Sequence, residues 1–160
     1  MADAKGHAEA LQLWEQGAEL QMRNDVDGAI AKYRESIAIC PTAEAHTFLG
    51  WALSWRGDVD AAIAHCKIAI EVDPEFGNPY NDIGAYLIEQ GKPDQAVSWL
   101  ERAKNAKRYG PRQFPYINLA RIYASRGEVT RAIEELEQAL RVTPGDTVAL
   151  QALAKLRSLN

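Results

Sequence analysis

Cysteine is scarce in this chain. Cys40 and Cys66 are the two among 160 residues, and they form no C-x-x-C pair. That excludes a disulfide framework and points to a reducing, cytoplasmic setting with both thiols acting as small buried hydrophobes. No run approaches the roughly 20 apolar residues that a membrane-spanning helix requires. The opening MADAKGHAEALQLW lacks the apolar core and small-residue cleavage site of a secretory signal. Positive charge is in deficit: 18 Lys and Arg stand against 22 Asp and Glu, for a formal net charge of −4. A mildly acidic chain is poorly suited to wrapping nucleic acid, which needs a positive surface. No P-loop, G-x-G-x-x-G after a strand, H-E-x-x-H or G-x-S-x-G is present. The three histidines, His7, His46 and His65, do not offer the three or four converging ligands of a metal site. The reading is therefore of a non-enzymatic chain with no cofactor and no metal.

What the chain does have is periodicity. The segments NDVDGAI, GDVDAAI, GKPDQAV and GEVTRAI place Ala29, Ala62, Ala96 and Ala132 at intervals of 33, 34 and 36 residues. Each follows a patterned first helix. The second unit reads His46-x2-Leu49-Gly50-x2-Leu53, the third Tyr80-x2-Ile83-Gly84-x2-Leu87 and the fourth Tyr116-x2-Leu119-Ala120-x2-Tyr123. The first is looser, with Leu13, Gln16, Gly17 and Leu20 in those places. Small residues at Gly17, Gly50 and Gly84, and the four alanines opposite, let paired helices approach closely. Gly57, Gly91 and Gly127, with Asn24 in the first unit, suit the left-handed backbone that ends a helix. Pro41, Pro74 and Pro144 stop the second helix of their pairs. The third unit has Arg108 in that place, followed by Tyr109-Gly110-Pro111, and the two extra residues make its junction the longest.

This pattern resembles the tetratricopeptide repeat family over nearly the whole chain. The resemblance implies an all-α, right-handed superhelical solenoid of four helix pairs and a C-terminal capping helix in a single domain. The repeats would span about 10–42, 43–76, 77–112 and 113–146, with the cap at 147–159. Helices are expected at 5–22, 26–39, 43–55, 59–72, 77–89, 93–106, 113–125, 129–142 and 147–159. Leu150, Leu153 and Ala154 of the last would occupy packing places, while Gln151, Lys155 and Arg157 give it a polar outer face.

In that family the first helix of each pair lines a concave groove. The resemblance therefore directs Trp14 in the first unit, Trp51 in the second, Asn78 and Asn81 in the third, and Ile117, Asn118 and Arg121 in the fourth toward a partner. Tryptophan and arginine are frequent binding hot spots, and asparagine both donates to and accepts from a peptide backbone. The expected function is a protein-interaction module, an adaptor, scaffold or assembly factor holding a partner peptide or helix. The alternative is a self-assembling structural protein whose terminal helix or groove joins copies into a homo-oligomer. A family subclass grips chaperone C-terminal carboxylates with a lysine–asparagine–arginine clamp. The matching places here are Trp14, Ala18, Phe48, Asn78 and Asp82, which supply no cation, so no such clamp is expected. The basic stretch Arg102, Lys104, Lys107, Arg108 and Arg112 reads first as charge favoured near a helix C-terminus and second as a phosphate or acidic-partner site.

Overall fold

Helix starts in this chain are set by short side chains that accept otherwise unpaired backbone N–H groups. Asp3 takes the Gly6 N–H at 2.7 Å, Asp25 that of Gly28 at 3.0 Å, Thr42 that of Ala45 at 3.1 Å and Asp146 that of Ala149 at 2.8 Å. At three starts without such a cap, Pro79, Pro93 or Pro115 occupies the first turn, a place where a missing N–H costs nothing; the helix that begins at Val129 has neither device. The computed structural model describes residues 3–159. Nine helices run through them: α1 (Ala4–Met22), α2 (Val26–Ile39), α3 (Ala43–Trp55), α4 (Val59–Val72), α5 (Asn78–Glu89), α6 (Pro93–Lys104), α7 (Phe114–Ser125), α8 (Val129–Val142) and α9 (Thr147–Arg157).

Each helix packs mainly on its sequence neighbours, with lesser contacts of α1 on α3, α3 on α5 and α5 on α7. This is an all-α solenoid, and the odd-numbered helices form its adjoining inner row. Most expected boundaries hold to within a residue. The exceptions are C-terminal ends. Helix α6 stops at Lys104 rather than 106, where Asn105 donates back to the Glu101 carbonyl at 3.0 Å. Helix α9 stops at Arg157 rather than 159.

Within each pair the small residues do what the pattern requires. Ala29, Ala62, Ala96 and Ala132 are fully buried. A β-carbon on Gly17 would sit 2.6 Å from the Tyr33 ring, and one on Gly50 would sit 2.9 Å from the Ala62 carbonyl oxygen. At Gly84 it would overlap the Leu100 side chain. Gly57, at φ +81, and Asn24, at φ +66, both adopt the left-handed turn that ends a first helix.

The closing helix departs from expectation. Ala149 and Leu153 are buried, but Leu150 is 46% exposed and Val148 56%. Leu150 and Ala154 occupy packing places in the pattern, yet no further helix lies on that face among the described residues. The face is therefore part apolar rather than uniformly polar.

Candidate functional site

The groove is floored by α3, α5 and α7, and the seven sequence-derived residues separate within it. Trp14 on α1 does not stand free. Its ring meets Phe48 edge-on at 5.2 Å, and its Nε1 is buried without an acceptor. Phe48 in turn meets Trp51 at 5.8 Å, and Trp51 meets Trp55 at 5.1 Å, so four aromatic rings run in sequence along the N-terminal half of the groove.

Trp51, Asn78 and Asn81 come together in the middle of the groove. They line a cavity of about 480 Å³ with Thr47, Phe48, Asp82, Tyr109, Gly110, Pro111 and Phe114. Asn78 Nδ2 donates to the Gly110 carbonyl at 3.0 Å, leaving its Oδ1 buried and without a donor. Thr47 is buried and spends its hydroxyl on the Ala43 carbonyl at 2.7 Å. Ile117 and Arg121 lie further on, in an apolar crevice of about 280 Å³ between α7 and α9, with Val148, Ala152 and Leu156 opposite. Asn118 joins the two regions. Its Nδ2 donates to Asn81 Oδ1 at 3.0 Å, and its Oδ1 accepts from Arg121 at 3.1 Å. Both asparagines are buried, so much of their hydrogen-bonding capacity is already directed at each other.

Phe48 and Asp82 enter the sequence reading only as the places of the absent carboxylate clamp, and Tyr109, Gly110 and Pro111 do not enter it as groove contacts, yet all five line this cavity. Phe48 and Asp82 sit one place beyond the positions that periodicity directs inward. Tyr109 belongs to the long junction, and its two-residue insertion was the only available signal. The junction runs back beside the start of α5. Gly77 N–H donates to the Arg108 carbonyl at 2.8 Å, and Arg108 N–H donates to the Glu75 carbonyl at 3.0 Å. A β-carbon on Gly77 would collide with Tyr109, so a glycine is required there for the ring to lie over the helix start.

Asp82 has an unusual environment for an acid. Burial pushes its carboxyl up to about 7, opposed only partly by a hydrogen bond from Asn81. The neighbouring titratable groups are the Cys66 thiol from α4, the Tyr86 hydroxyl from α5 and the Tyr109 hydroxyl from the junction, and burial raises all three. Among the described residues no lysine or arginine pairs with Asp82.

The basic stretch is largely engaged within the fold. Arg108 pairs with Glu44 at 2.7 Å and Asp73 at 2.6 Å, and lies 4.4 Å from the Phe76 ring. Lys104 pairs with Glu135 at 2.8 Å and Lys107 with Glu75 at 2.7 Å. Arg112 donates to the Ala106 and Lys107 carbonyls, both at 3.0 Å. Arg102 stacks over Tyr80 and Trp99. Elsewhere, His46 and His65 face each other with their Nδ1 atoms 3.2 Å apart. Among the described residues no group of three or more His, Cys, Asp or Glu side chains is placed to hold a metal ion.

Comparison with known proteins agrees with the repeat pattern. Tetratricopeptide repeat family models match residues 48–111 and 115–156. The chain is 33% identical over 96 residues to the small glutamine-rich tetratricopeptide repeat-containing protein 2 of Saccharomyces cerevisiae, a match covering 59% of this chain and 28% of that protein. The chain thus spans under a third of that relative's length. Among solved structures it is similar to PilF of Pseudomonas aeruginosa, with TM-score 0.88, 22% identity, 96% of this chain and 70% of that one. It is also similar to PilW, described as a widely conserved type IV pilus biogenesis factor, with TM-score 0.84, 18% identity, 94% of this chain and 69% of that one. At these identities the two structures establish the likeness of fold.

Proposed function

Because this chain belongs to the tetratricopeptide repeat family, a family of protein-interaction modules, we propose that it acts as an adaptor or assembly factor whose groove holds a segment of a partner protein. The observation that carries this reading is the central cavity. It is about 480 Å³, it opens on the concave row of helices, and it combines aromatic walls with polar side chains, of which Asn78 Oδ1 is left without a partner. That mixture of apolar area with a few convergent polar groups is typical of binding sites. Trp51 and Phe114 supply apolar contact, while Asn78, Asn81, Asn118 and Arg121 set the register of the bound segment. The apolar crevice beside Ile117 would receive a second, hydrophobic anchor.

The test is affinity capture with the wild type and with the double variant Trp51→Ala/Arg121→Ala. A partner retained by the first and lost by the folded second supports groove recognition. Equal capture by both rejects it.

One observation favours self-assembly as a second reading. Val148 and Leu150 expose apolar surface on α9, next to the apolar crevice against α7. On that reading copies associate through their α9 ends. Sedimentation over a range of concentrations would show a larger species in the wild type and a monomer in Leu150→Glu. A wild type that remains monomeric throughout removes this reading.

A further inference from the structure

We infer that the central cavity is a receptor for an arginine side chain presented by the partner segment. The inference rests on groove recognition and adds the chemistry of its anchor. Three features of the cavity carry it.

The first is an acid without a counter-ion. Asp82 lines the cavity, and no cation of this chain pairs with it among the described residues. The nearest basic stretch is spent elsewhere: Arg108 is held by Glu44 and Asp73, and Arg112 by two backbone carbonyls. An arriving cation would therefore not displace an existing pair.

The second is the character of the walls. Phe48, Trp51, Tyr109 and Phe114 all border the same cavity as the carboxylate. Aromatic faces attract cations through their quadrupoles, and a guanidinium stacks on them better than an ammonium does. Cations already lie over aromatic rings within the chain, Arg108 over Phe76 and Arg131 over Tyr123, with Lys104 over Tyr116.

The third is an excess of acceptors. Asn78 Oδ1 has no donor within the protein, because Asn78 Nδ2 is committed to Gly110. The Asp82 carboxylate, whose hydrogen bond from Asn81 occupies only part of its capacity, adds further acceptor sites. Arginine brings five N–H donors and no acceptor. A carboxylate or phosphate ligand would instead set its charge against that of the Asp82 carboxylate. The formal net charge of −4 also favours approach of a cationic segment.

Burial holds Asp82 partly protonated near neutrality, at about 7. The groups that face it, Cys66, Tyr86 and Tyr109, are neutral there, since burial raises each of them. Arginine binding should therefore strengthen as pH rises through this range and should itself draw the Asp82 proton off.

The experiment is an amide chemical-shift titration of the full chain with N-acetyl-arginine methylamide and with its neutral citrulline counterpart. The expected result at about pH 8 is saturable shifts at Trp51, Asp82 and Tyr109 from the arginine probe, and binding about tenfold weaker or worse from citrulline. Asp82→Asn, a near-isosteric change, should retain a folded spectrum and lose the preference. At about pH 5.5 the wild type should bind the arginine probe more weakly than at pH 8. Equal response to the two probes, no shifts around the cavity, or an unchanged preference in Asp82→Asn would overturn the inference. Selection of random peptides on the same chain separates it from the broader reading. Peptides that need Trp51 but no arginine reject the cation receptor alone, and an absence of Trp51-dependent peptides rejects groove recognition itself.

Discussion

Two titrating sites pull the stability of this protein in opposite directions with pH. His46 is pushed down to about 4, first by burial and then by His65, whose Nδ1 lies 3.2 Å away. His65 is also lowered, by burial and by Arg34. Between the ordinary histidine value of 6.5 and about 4, the unfolded chain takes up a proton that the folded chain refuses. Stability from this pair is present above pH 6.5 and is lost as pH falls through that window. Asp82 behaves in the reverse sense. The folded chain keeps a proton up to about 7 that the unfolded chain releases near 3.8, so its contribution is present in acid and fades as pH rises. His46→Phe should therefore flatten the acid side of the stability profile, and Asp82→Asn should raise stability at pH 8 by on the order of 2 kcal/mol with little effect in acid. Urea denaturation across pH, with each variant, checks both. Equal pH dependence in wild type and His46→Phe would remove the histidine pair from the account. Gly17→Ala tests the close approach of α1 to α2. Its new methyl would meet the Tyr33 ring, which is held by its hydrogen bond to Gln21, and should cost about 1–3 kcal/mol in the same assay.

At the scale of helices, the amino-acid pattern carries most of the architecture. The intervals between Ala29, Ala62, Ala96 and Ala132 locate every pair, because an alanine at zero exposure in each repeat reflects one packing requirement met four times. Asp25, Thr42 and Asp146 cap the helices that follow them. The groove was only partly legible. Periodicity identifies which residues turn inward from one helix, but not which of them meet across helices. Thus Asn81 and Asn118 both point inward and then bond to each other, while Trp14 turns against Phe48. Tyr109 lies outside any helix, so no helical period could place it over Gly77. The α9 element shows a related limit. Leu150 matches a packing place in the pattern, yet nothing covers it among the described residues. Removing a covered leucine should be costly, and removing this one should not. Leu136→Ala, at 1% exposure, should lose about 2–5 kcal/mol, whereas Leu150→Ala should lose under about 1. Paired thermal or urea melts decide this, and similar losses would mean that Leu150 is buried in solution.

For the whole molecule, the long junction matters more than its few residues suggest. Helix-pair arrays ordinarily touch only their nearest neighbours, so each boundary between repeats is a place where the array can part. Arg108 reinforces one such boundary, tying the end of the third unit back to both helices of the second. It is anchored on α3 through Glu44, on the end of α4 through Asp73, and on the strand-like segment before α5 through Phe76 and two backbone bonds. These ties are partly exposed, so Arg108→Ala should lower global stability by only about 1–2 kcal/mol. Its larger effect should be on cooperativity. In the wild type, hydrogen exchange of α3 and α5 amides should report one shared opening energy; in Arg108→Ala those two values should separate. Uniform protection in both would show that the tie is local. The same tie has a mechanical consequence. A superhelix of stacked pairs deforms like a soft spring, widening or narrowing its groove as the coil winds and unwinds. A brace from one repeat to the next stiffens the coil at its middle, where the central cavity lies, and leaves the two ends compliant. Under load, or against a partner that does not quite fit, the ends would give before the width of that cavity changed.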